Sequence, residues 1–100
     1  MKSIAVIGIG NLGLRHLESL YLSQNNYKLY ALDKYKISLK NAETYLNKIG
    51  NNQNNIPYIN SITQLSKKID VIILSTNSDI RFELFNNLIS KISFRYLIIE

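Results

Sequence analysis

The sequence has no cysteine and no tryptophan, and it contains one proline and four glycines among 100 residues. Without cysteine the chain forms no disulfide and no thiolate metal site, which fits the reducing cytoplasm, where we expect the protein to reside. No run approaches the ~20 apolar residues that a membrane helix requires. The first ten residues also lack the small-residue cleavage site of a signal peptide. With 46% hydrophobic residues, the composition predicts a single globular domain.

Positive charge is in excess, with 12 basic and 7 acidic residues and an isoelectric point of about 9.5. A nucleic-acid-binding protein concentrates such charge on one face or segment. Here the basic residues are spread along the chain, and Lys67-Lys68 is the only adjacent basic pair. Since Asn, Ile, Lys and Tyr are all abundant, as codon bias in an AT-rich genome produces, we interpret the charge as a solvated surface. We expect neither a nucleic acid nor a membrane as a partner.

Short apolar runs alternate along the chain with segments of helical periodicity. The runs are apolar throughout, which favours strands that are buried on both faces. We predict strands at Ser3–Ile7, Lys28–Leu32, Ile56–Ile59, Val71–Leu74 and Tyr96–Ile99. This alternation predicts an α/β fold, a doubly wound parallel sheet in the order 3-2-1-4-5 with helices on both faces. Pro57 cannot donate to a strand ladder, so it places the third strand at the edge.

Apolar residues at i, i+3, i+4 spacing mark one buried face on each of three predicted helices. These faces are Leu14, Leu17, Leu20 and Tyr21 on a helix ending near Asn25-Asn26, then Ala42, Tyr45, Leu46 and Ile49, and finally Phe85, Leu88, Ile89 and Ile92. Gly50 is expected to cap the second helix, and the polar run Asn51–Asn55 is a predicted surface loop. Ser61 with Gln64 has the spacing of a capping box that opens a short helix.

The segment Gly8-Ile9-Gly10-Asn11-Leu12-Gly13 is a G-x-G-x-x-G motif. It follows a predicted strand, opens a helix and lies in a βαβ unit of about 30 residues, which is the context of a Rossmann-type dinucleotide-binding turn. Gly8 allows the tight turn, Gly10 lets a pyrophosphate approach the backbone, and Gly13 lets the helix pack closely on the sheet. Free N–H groups around Asn11 and Leu12, with the helix dipole, would bind the phosphates. The alternative is a plain strand-to-helix turn.

Asp33 ends the second predicted strand, 20 residues after Gly13. An acidic residue at this place accepts hydrogen bonds from the adenosine ribose hydroxyls of a dinucleotide. Since its charge repels a 2′-phosphate, NAD is the expected cofactor and NADP the weaker alternative. Lys34 softens that preference if it pairs with a phosphate, and otherwise it is a solvated surface lysine. The alternative role for Asp33 is to cap the following helix.

Ligands of doubly wound sheets bind outside the carboxyl ends of the strands, near the point where the strand order reverses. Here that point lies between strands 1 and 4, and strand 4 is followed by Ser75-Thr76-Asn77. We expect these residues to line the ribose and nicotinamide end of the cofactor, with Glu100 on the same rim after strand 5. His16 is the only histidine, and it has no partner at a recognisable spacing. We therefore interpret it as a packing or capping residue rather than a catalytic one.

Three segments resemble the glucose–fructose oxidoreductase and inositol dehydrogenase family, Gfo/Idh/MocA. They are Gly8–Leu17, in which Arg-His closely follows the third glycine, Asp70–Thr76, and Tyr96–Glu100. The resemblance implies a Rossmann-type oxidoreductase that transfers hydride between NAD(P) and a hydroxyl or carbonyl of a sugar-like substrate. The cofactor contacts that it implies are Gly8, Gly10, Asn11, Leu12, Gly13, Asp33, Ser75, Thr76, Asn77 and, on the nicotinamide ribose, Glu100.

The resemblance also implies parts that these 100 residues do not contain. The family's catalytic Lys directly follows the Glu that matches Glu100, and a second, mostly antiparallel α+β domain binds substrate and usually makes the oligomer. We therefore expect residues 1–100 to be an N-terminal NAD(P)-binding domain without catalytic residues, which binds a dinucleotide without turnover. Substrate-dependent NADH production by these residues would contradict that expectation.

The segment after strand 4 departs from the common family pattern. Asn77 and Arg81 stand where the family commonly has Pro and His. The stretch from Asn77 to Arg81 is more similar to a subgroup tied to bacterial surface-sugar biosynthesis, which implies a substrate of that kind.

Two other classes of protein share part of this pattern. A non-enzymatic nucleotide-sensing module, such as the regulatory Rossmann domain of an ion channel, has the glycine motif and the acidic residue. It usually carries an acidic segment after strand 3, where this chain has Asn60–Thr63. A methyltransferase typically has a looser glycine motif. The oxidoreductase domain is the leading prediction and the sensing module its alternative. An exposed strand 5 also favours self-association.

Overall fold

The computed structural model describes residues 2–23, 26–50, 56–76 and 78–100, without the side chains of residues 78–80 and 82. These residues form a five-stranded parallel sheet in the order β3-β2-β1-β4-β5, so the predicted α/β fold and strand order are confirmed. The strands are β1 (Lys2–Ile7), β2 (Tyr27–Leu32), β3 (Tyr58–Ile59), β4 (Lys68–Leu74) and β5 (Ser93–Ile99). The helices are α1 (Asn11–Leu22), α2 (Lys36–Ile49) and α3 (Ser78–Lys91), with a 3-10 helix at Ile62–Gln64. Across the described ranges no helix is long and apolar enough to cross a membrane.

Helices cover both faces of the sheet, and each face has its own apolar core. Neighbouring residues of β1 point to opposite faces, so Val6 belongs to one core and Ile7 to the other. Under α1 and α2, the first core contains Leu17, Leu39, Ala42 and Leu46. Under α3 and the 3-10 helix, the second core contains Leu65, Leu88 and Ile92. Burial on both faces explains why Ile4–Ile7 of β1 is an unbroken apolar run.

The predicted buried faces of α2 and α3 are partly wrong. On α2, Tyr45 and Ile49 are 41% and 37% exposed, while Leu39 is buried instead. On α3, Ile89 is 53% exposed, and Leu84 packs against the core. Apolar spacing along a short helix fits two adjacent faces almost equally, and the rotation that the sheet imposes decides which one is buried.

The ends of two helices also differ from the prediction. α1 ends at Leu22, before the predicted end near Asn25-Asn26. Asn25 itself lies outside the described residues. The predicted loop at Asn51–Asn55 lies outside them too. Gly50 caps α2 as predicted, but with an ordinary φ of −115°. The absence of a side chain at Gly50 is instead required for the packing of α2 on α1, because a Cβ at Gly50 would overlap the ring of Tyr21 on α1.

The edge position of β3 and the capping box are both as predicted. Pro57 directly precedes β3, and its carbonyl accepts a hydrogen bond from the N–H of Ala31 at 3.0 Å. The Ser61 hydroxyl accepts from the N–H of Thr63 at 3.3 Å, and Gln64 Oε1 accepts from the N–H of Ser61 at 3.2 Å. The helix that this box opens is a single 3-10 turn.

β5 forms the opposite edge of the described sheet and is largely exposed. Tyr96 and Ile98 of β5 pair in register with Val71 and Ile73 of β4. Val71 and Ile73 face the first core, but the side chains of Tyr96 and Ile98 are 62% and 45% exposed. The self-association that such an edge favours stays a prediction.

Asp70 joins β4 to β1 at the amino ends of these strands. Its Oδ2 accepts from the backbone N–H and from the hydroxyl of Ser3 at 2.9 and 3.1 Å, and its own N–H donates to Ser3 Oγ at 3.0 Å. The backbone hydrogen bond from Ser3, followed by the hydroxyl bond, holds the pKa of Asp70 below its ordinary value of 3.8. A lowered pKa means that the folded state favours the carboxylate. Its contribution to stability is therefore present above the ordinary pKa and is lost as the pH falls through the lowered one.

We expect Asp70→Asn to reduce the loss of stability in acid. The free energy of unfolding from urea titrations should fall less between about pH 7 and about pH 3 in the variant than in the unaltered chain. Glu43→Gln, at an exposed position on α2, is the control and should keep the full acid loss. An identical pH dependence for Asp70→Asn and the unaltered chain would contradict the prediction.

Candidate functional site

A cleft of about 450 Å³ opens at the carboxyl ends of β1, β2 and β4. It runs between the start of α2, which covers one face of the sheet, and the middle of α3, which covers the other. Its lining residues are Ile7, Gly8, Gly10, Leu32, Asp33, Lys34, Tyr35, Ser38, Ser75, Thr76, Glu83, Leu84 and Asn87. The cleft thus lies at the point of the sheet where the reversal of strand order predicts a ligand site.

The structure brings most of the predicted site residues to this cleft. Those that line it are Gly8, Gly10, Asp33, Lys34, Ser75 and Thr76. Asn11, Leu12 and Gly13 form the first turn of α1 beside it. Glu100 is not part of the lining, and Asn77 lies outside the residues that the structure describes.

Seven lining residues were not predicted as site residues: Ile7 and Leu32 at the strand ends, and Tyr35, Ser38, Glu83, Leu84 and Asn87. The three on α3 follow the spacing i, i+1, i+4, which places them on one side of the helix. The spacing alone shows that these three residues share one side of α3. That this side faces the cleft follows only from the position of α3 beside the strand ends.

The glycine turn is built as the motif predicts. Gly8 has a φ of +92°, a conformation that side chains disfavour, and a Cβ on it would lie 2.7 Å from the carbonyl oxygen of Ser75. Its N–H donates to the carbonyl of Leu32 at 2.8 Å, which ties the turn to β2. Gly13 is buried, and a Cβ there would overlap the carbonyl oxygen of Gly8. The turn therefore brings α1 into backbone contact with the end of β1.

The amino end of α1 offers uncapped donors at the cleft. Gly10 is the N-cap residue and has no side chain that could cap the helix, and the first turn holds no acidic residue. The first N–H groups of a helix have no partner within it, and here they belong to Asn11, Leu12 and Gly13. A Cβ on Gly10 would meet no atom of the described residues within 4 Å, so these residues leave the space in front of it open. Such a helix end attracts anions.

Asp33 connects the glycine turn to the end of β2. Its Oδ2 accepts from the N–H of Ile9 at 2.8 Å, and its Oδ1 accepts from the N–H of Tyr35 at 2.9 Å. Tyr35 is the N-cap residue of α2, so Asp33 supports the start of α2 without bonding an N–H inside the helix. A carboxylate has about four acceptor positions. Both oxygens of Asp33 therefore retain capacity for a neighbouring diol.

Lys34 and Tyr35 extend the cleft beyond Asp33. Both are exposed, and Lys34 Nζ lies 5.0 Å from the centre of the Tyr35 ring. A cation at this distance from the face of an aromatic ring is attracted to it. The exposed ammonium group of Lys34 is therefore also near the Tyr35 ring. Lys34 and its sequence neighbour Asp33 both line the cleft.

Two hydroxyl groups at the end of β4 are buried and have no hydrogen-bond partner among the residues that the structure describes. They are Ser75 Oγ and Thr76 Oγ1, and both residues line the cleft. The backbone of Ser75 is fixed, since its N–H donates to the carbonyl of Ile7 at 2.8 Å. An unpaired buried hydroxyl costs about 1–3 kcal/mol, and a polar ligand in the cleft would supply the missing partners.

Arg81 links the ends of β4 and β5, an arrangement that the sequence did not indicate. Its Nη2 donates to the carbonyl oxygen of Thr76 at 2.9 Å and to that of Glu100 at 2.5 Å. The side chain of Glu100 reaches toward α1, where its Oε1 lies 3.5 Å from His16 Nε2. His16, a predicted packing or capping residue, therefore faces an acidic partner more than eighty positions away in the sequence.

These features fit a dinucleotide. The uncapped helix end and the open space at Gly10 suit a diphosphate, and the half-buried carboxylate of Asp33 suits a ribose diol. The buried hydroxyls of Ser75 and Thr76 suit further polar atoms of the same ligand. Within the described ranges, no three His, Asp or Glu side chains are grouped in a way that would hold a metal ion.

Comparison with known proteins gives one family match. A family model described as oxidoreductase family, NAD-binding Rossmann fold (GFO_IDH_MocA), matches residues 2–100. None of the curated proteins with which the chain was compared matches it.

Proposed function

Since the chain belongs to the Gfo/Idh/MocA oxidoreductase family and forms its NAD-binding Rossmann fold, we propose that the cleft at the carboxyl ends of β1, β2 and β4 is the cofactor site. NAD supplies the hydride acceptor when it is bound, and the residues of this chain hold and orient it. The observation that carries the proposal is the pair of hydrogen bonds by which Asp33 connects the N–H of Ile9 to that of Tyr35. The acid and the glycine turn are thereby held as one unit.

The pyrophosphate is assigned to the glycine turn. In this proposal Gly8 and Gly13 shape the turn and the helix packing, while Gly10 leaves room for the phosphates. The N–H groups of Asn11 and Leu12 donate to them. Support comes from the end of α1, where Gly10 provides no side-chain cap, and from the position of Gly10, where a Cβ would lie more than 4 Å from every atom of the described residues.

The two ribose groups are assigned to opposite ends of the cleft. Asp33 accepts hydrogen bonds from the adenosine ribose. Ser75, Thr76 and Asn77 are proposed to line the nicotinamide end, with Glu100 at the nicotinamide ribose. The buried hydroxyls of Ser75 and Thr76 support this assignment, because neither has a hydrogen-bond partner among the described residues. The link from Thr76 through Arg81 to Glu100 also supports it.

We propose that NAD is preferred over NADP. The Asp33 carboxylate repels a phosphate on the ribose 2′-oxygen. Lys34 reduces that repulsion, although its ammonium group is also attracted by the ring of Tyr35. A preference of roughly tenfold corresponds to about 1.4 kcal/mol, a plausible net value for a partly solvated charge pair.

We expect the chain to bind NADH saturably, and NADPH roughly tenfold more weakly. Calorimetric titration measures both affinities, and circular dichroism confirms that the chain is folded. NADH at 100 times its dissociation constant should also stabilise the fold by about 2.7 kcal/mol in a thermal melt. A folded chain that binds neither dinucleotide would contradict the proposed site, and equal or tighter binding of NADPH would contradict the proposed preference.

For the parent enzyme we propose hydride transfer between NAD(P) and a hydroxyl or carbonyl of a sugar-like substrate. The resemblance of the segment from Asn77 to Arg81 supports a role in bacterial surface-sugar biosynthesis. We further propose that residues 1–100 act as the cofactor-binding domain beside a substrate-binding domain, and that alone they bind NAD without turnover. The cytoplasm is the proposed location, because a cysteine-free chain suits its reducing conditions.

A further inference from the structure

The cleft is lined by more residues than those assigned to the diphosphate and the ribose groups of the cofactor. Its two walls come from helices on opposite faces of the sheet. One wall is the start of α2, with Tyr35 and Ser38, and the other is the middle of α3, with Glu83 and Leu84. Given the proposed cofactor, the group that follows the ribose here is the purine base.

The walls suit a flat, largely apolar group. Leu84 packs against the second core and also lines the cleft, so its position is fixed by the fold. Opposite it, Tyr35 contributes an exposed aromatic ring that the ammonium group of Lys34 approaches to 5.0 Å. Bases stack on aromatic side chains whatever their identity. These two residues therefore hold a base without distinguishing one base from another.

Distinction between bases requires polar groups, and α3 supplies two. Glu83 and Asn87 are one helical turn apart and both line the cleft, on either side of Leu84 in the sequence. Both are exposed, and neither side chain makes a hydrogen bond or an ion pair with another described residue. Glu83 is an acceptor only, whereas the Asn87 amide both donates and accepts.

Acceptor and amide groups together match adenine better than any base with a carbonyl at position 6. Adenine presents an amino donor at position 6 beside the N7 acceptor, a pair that an Asn amide recognises. A carboxylate accepts from the same amino group. Hypoxanthine and guanine carry an oxygen at position 6, and an acceptor facing an acceptor is unfavourable.

We propose that Glu83, with Asn87, is a specificity-determining residue that selects dinucleotides carrying a 6-amino purine over those carrying a 6-oxo purine. This inference rests on the proposed function, because it assigns the base of the same cofactor. The glycine turn and Asp33 bind the diphosphate and the ribose diol, which every such dinucleotide carries. Glu83 and Asn87 add a preference for one kind of base.

The test uses two ligands that differ at one position of the base. NADH and reduced nicotinamide hypoxanthine dinucleotide are titrated calorimetrically against the unaltered chain, Glu83→Gln and Glu83→Ala. Asn86→Ala is the control, because Asn86 is exposed on the same helix and does not line the cleft. Circular dichroism confirms that each variant is folded.

The unaltered chain and Asn86→Ala should bind NADH roughly tenfold or more tightly than the hypoxanthine analogue. Glu83→Gln should bring the two affinities within about threefold, chiefly through tighter binding of the analogue, since the Gln amide donates to a 6-oxo group. Glu83→Ala should weaken NADH and leave the analogue unchanged or tighter. A merely structural role for Glu83 would change both affinities together and leave their ratio unaltered.

Two outcomes overturn the proposal, and they are distinguishable. If the unaltered chain binds both dinucleotides equally, or if Glu83→Gln leaves the ratio unchanged, base selection by Glu83 is wrong while the cofactor site stands. If the folded chain binds neither dinucleotide, the proposed function fails and this inference fails with it.

Discussion

Alanine at Gly13 is expected to destabilise the domain by about 3 kcal/mol or more, whereas alanine at Gly10 should leave its stability within about 0.5 kcal/mol. The added methyl at Gly13 overlaps the carbonyl oxygen of Gly8. Both atoms belong to the backbone, so the overlap is relieved only by moving α1 away from the end of β1. A domain of this size has a total stability of about 5–15 kcal/mol, so the loss is a large part of it.

Gly10 is the matched control for stability and the sensitive position for binding. A methyl there meets no atom of the described part of the chain within 4 Å, and the N-cap conformation of Gly10 has a negative φ that alanine adopts. The same methyl projects into the space assigned to the pyrophosphate. NADH affinity should therefore fall roughly tenfold or more while the fold persists.

Urea titration followed by circular dichroism gives the two stabilities, and calorimetry gives the affinity of Gly10→Ala for NADH. A Gly13→Ala chain as stable as the unaltered one would mean that α1 does not rest on the turn as the structure has it. Unchanged NADH binding in Gly10→Ala would contradict the assignment of the pyrophosphate to this turn.

Asp33→Ala should weaken NADH binding by roughly 100-fold, the largest effect that we expect at the cofactor site. Two losses combine in this variant. The hydrogen bonds to the N–H groups of Ile9 and Tyr35 disappear, which frees the glycine turn, and the ribose hydroxyls lose a charged acceptor. Hydrogen bonds to charged groups contribute about 1.5–3 kcal/mol each. Calorimetry with NADH measures the change.

Asp33→Asn removes the negative charge of the side chain and keeps its shape. The amide keeps one acceptor oxygen, so it can retain one of the two backbone hydrogen bonds, and NADH affinity should fall less than in the alanine variant. With the negative charge removed, NADPH should bind about as well as NADH. Asp70→Asn is the control, since Asp70 bonds Ser3 at the amino ends of the strands, away from the cleft. Wild-type NADH affinity in Asp33→Ala would refute the role of the acid.

The architecture and the glycine turn could be predicted from sequence because each rests on local physical requirements. The part of a strand that is covered on both faces is apolar throughout, and this marked Ile4–Ile7 of β1 and Val71–Leu74 of β4. A tight turn with positive φ requires a residue such as Gly8, and close helix packing excludes a side chain at Gly13. Pro57 marked the sheet edge because it has no N–H to donate.

Contacts between distant segments were decided by the tertiary structure alone. The exposure of Tyr45 and Ile89 follows from the rotation of α2 and α3 on the sheet, which apolar spacing in a short helix does not define. The position of Glu83 in the cleft wall follows from where α3 crosses the strand ends. Glu100 approaches His16 because β5 pairs with β4, which brings the end of β5 close to α1. Such contacts join residues whose separation in sequence carries no information about their separation in space, so no local pattern could reveal them.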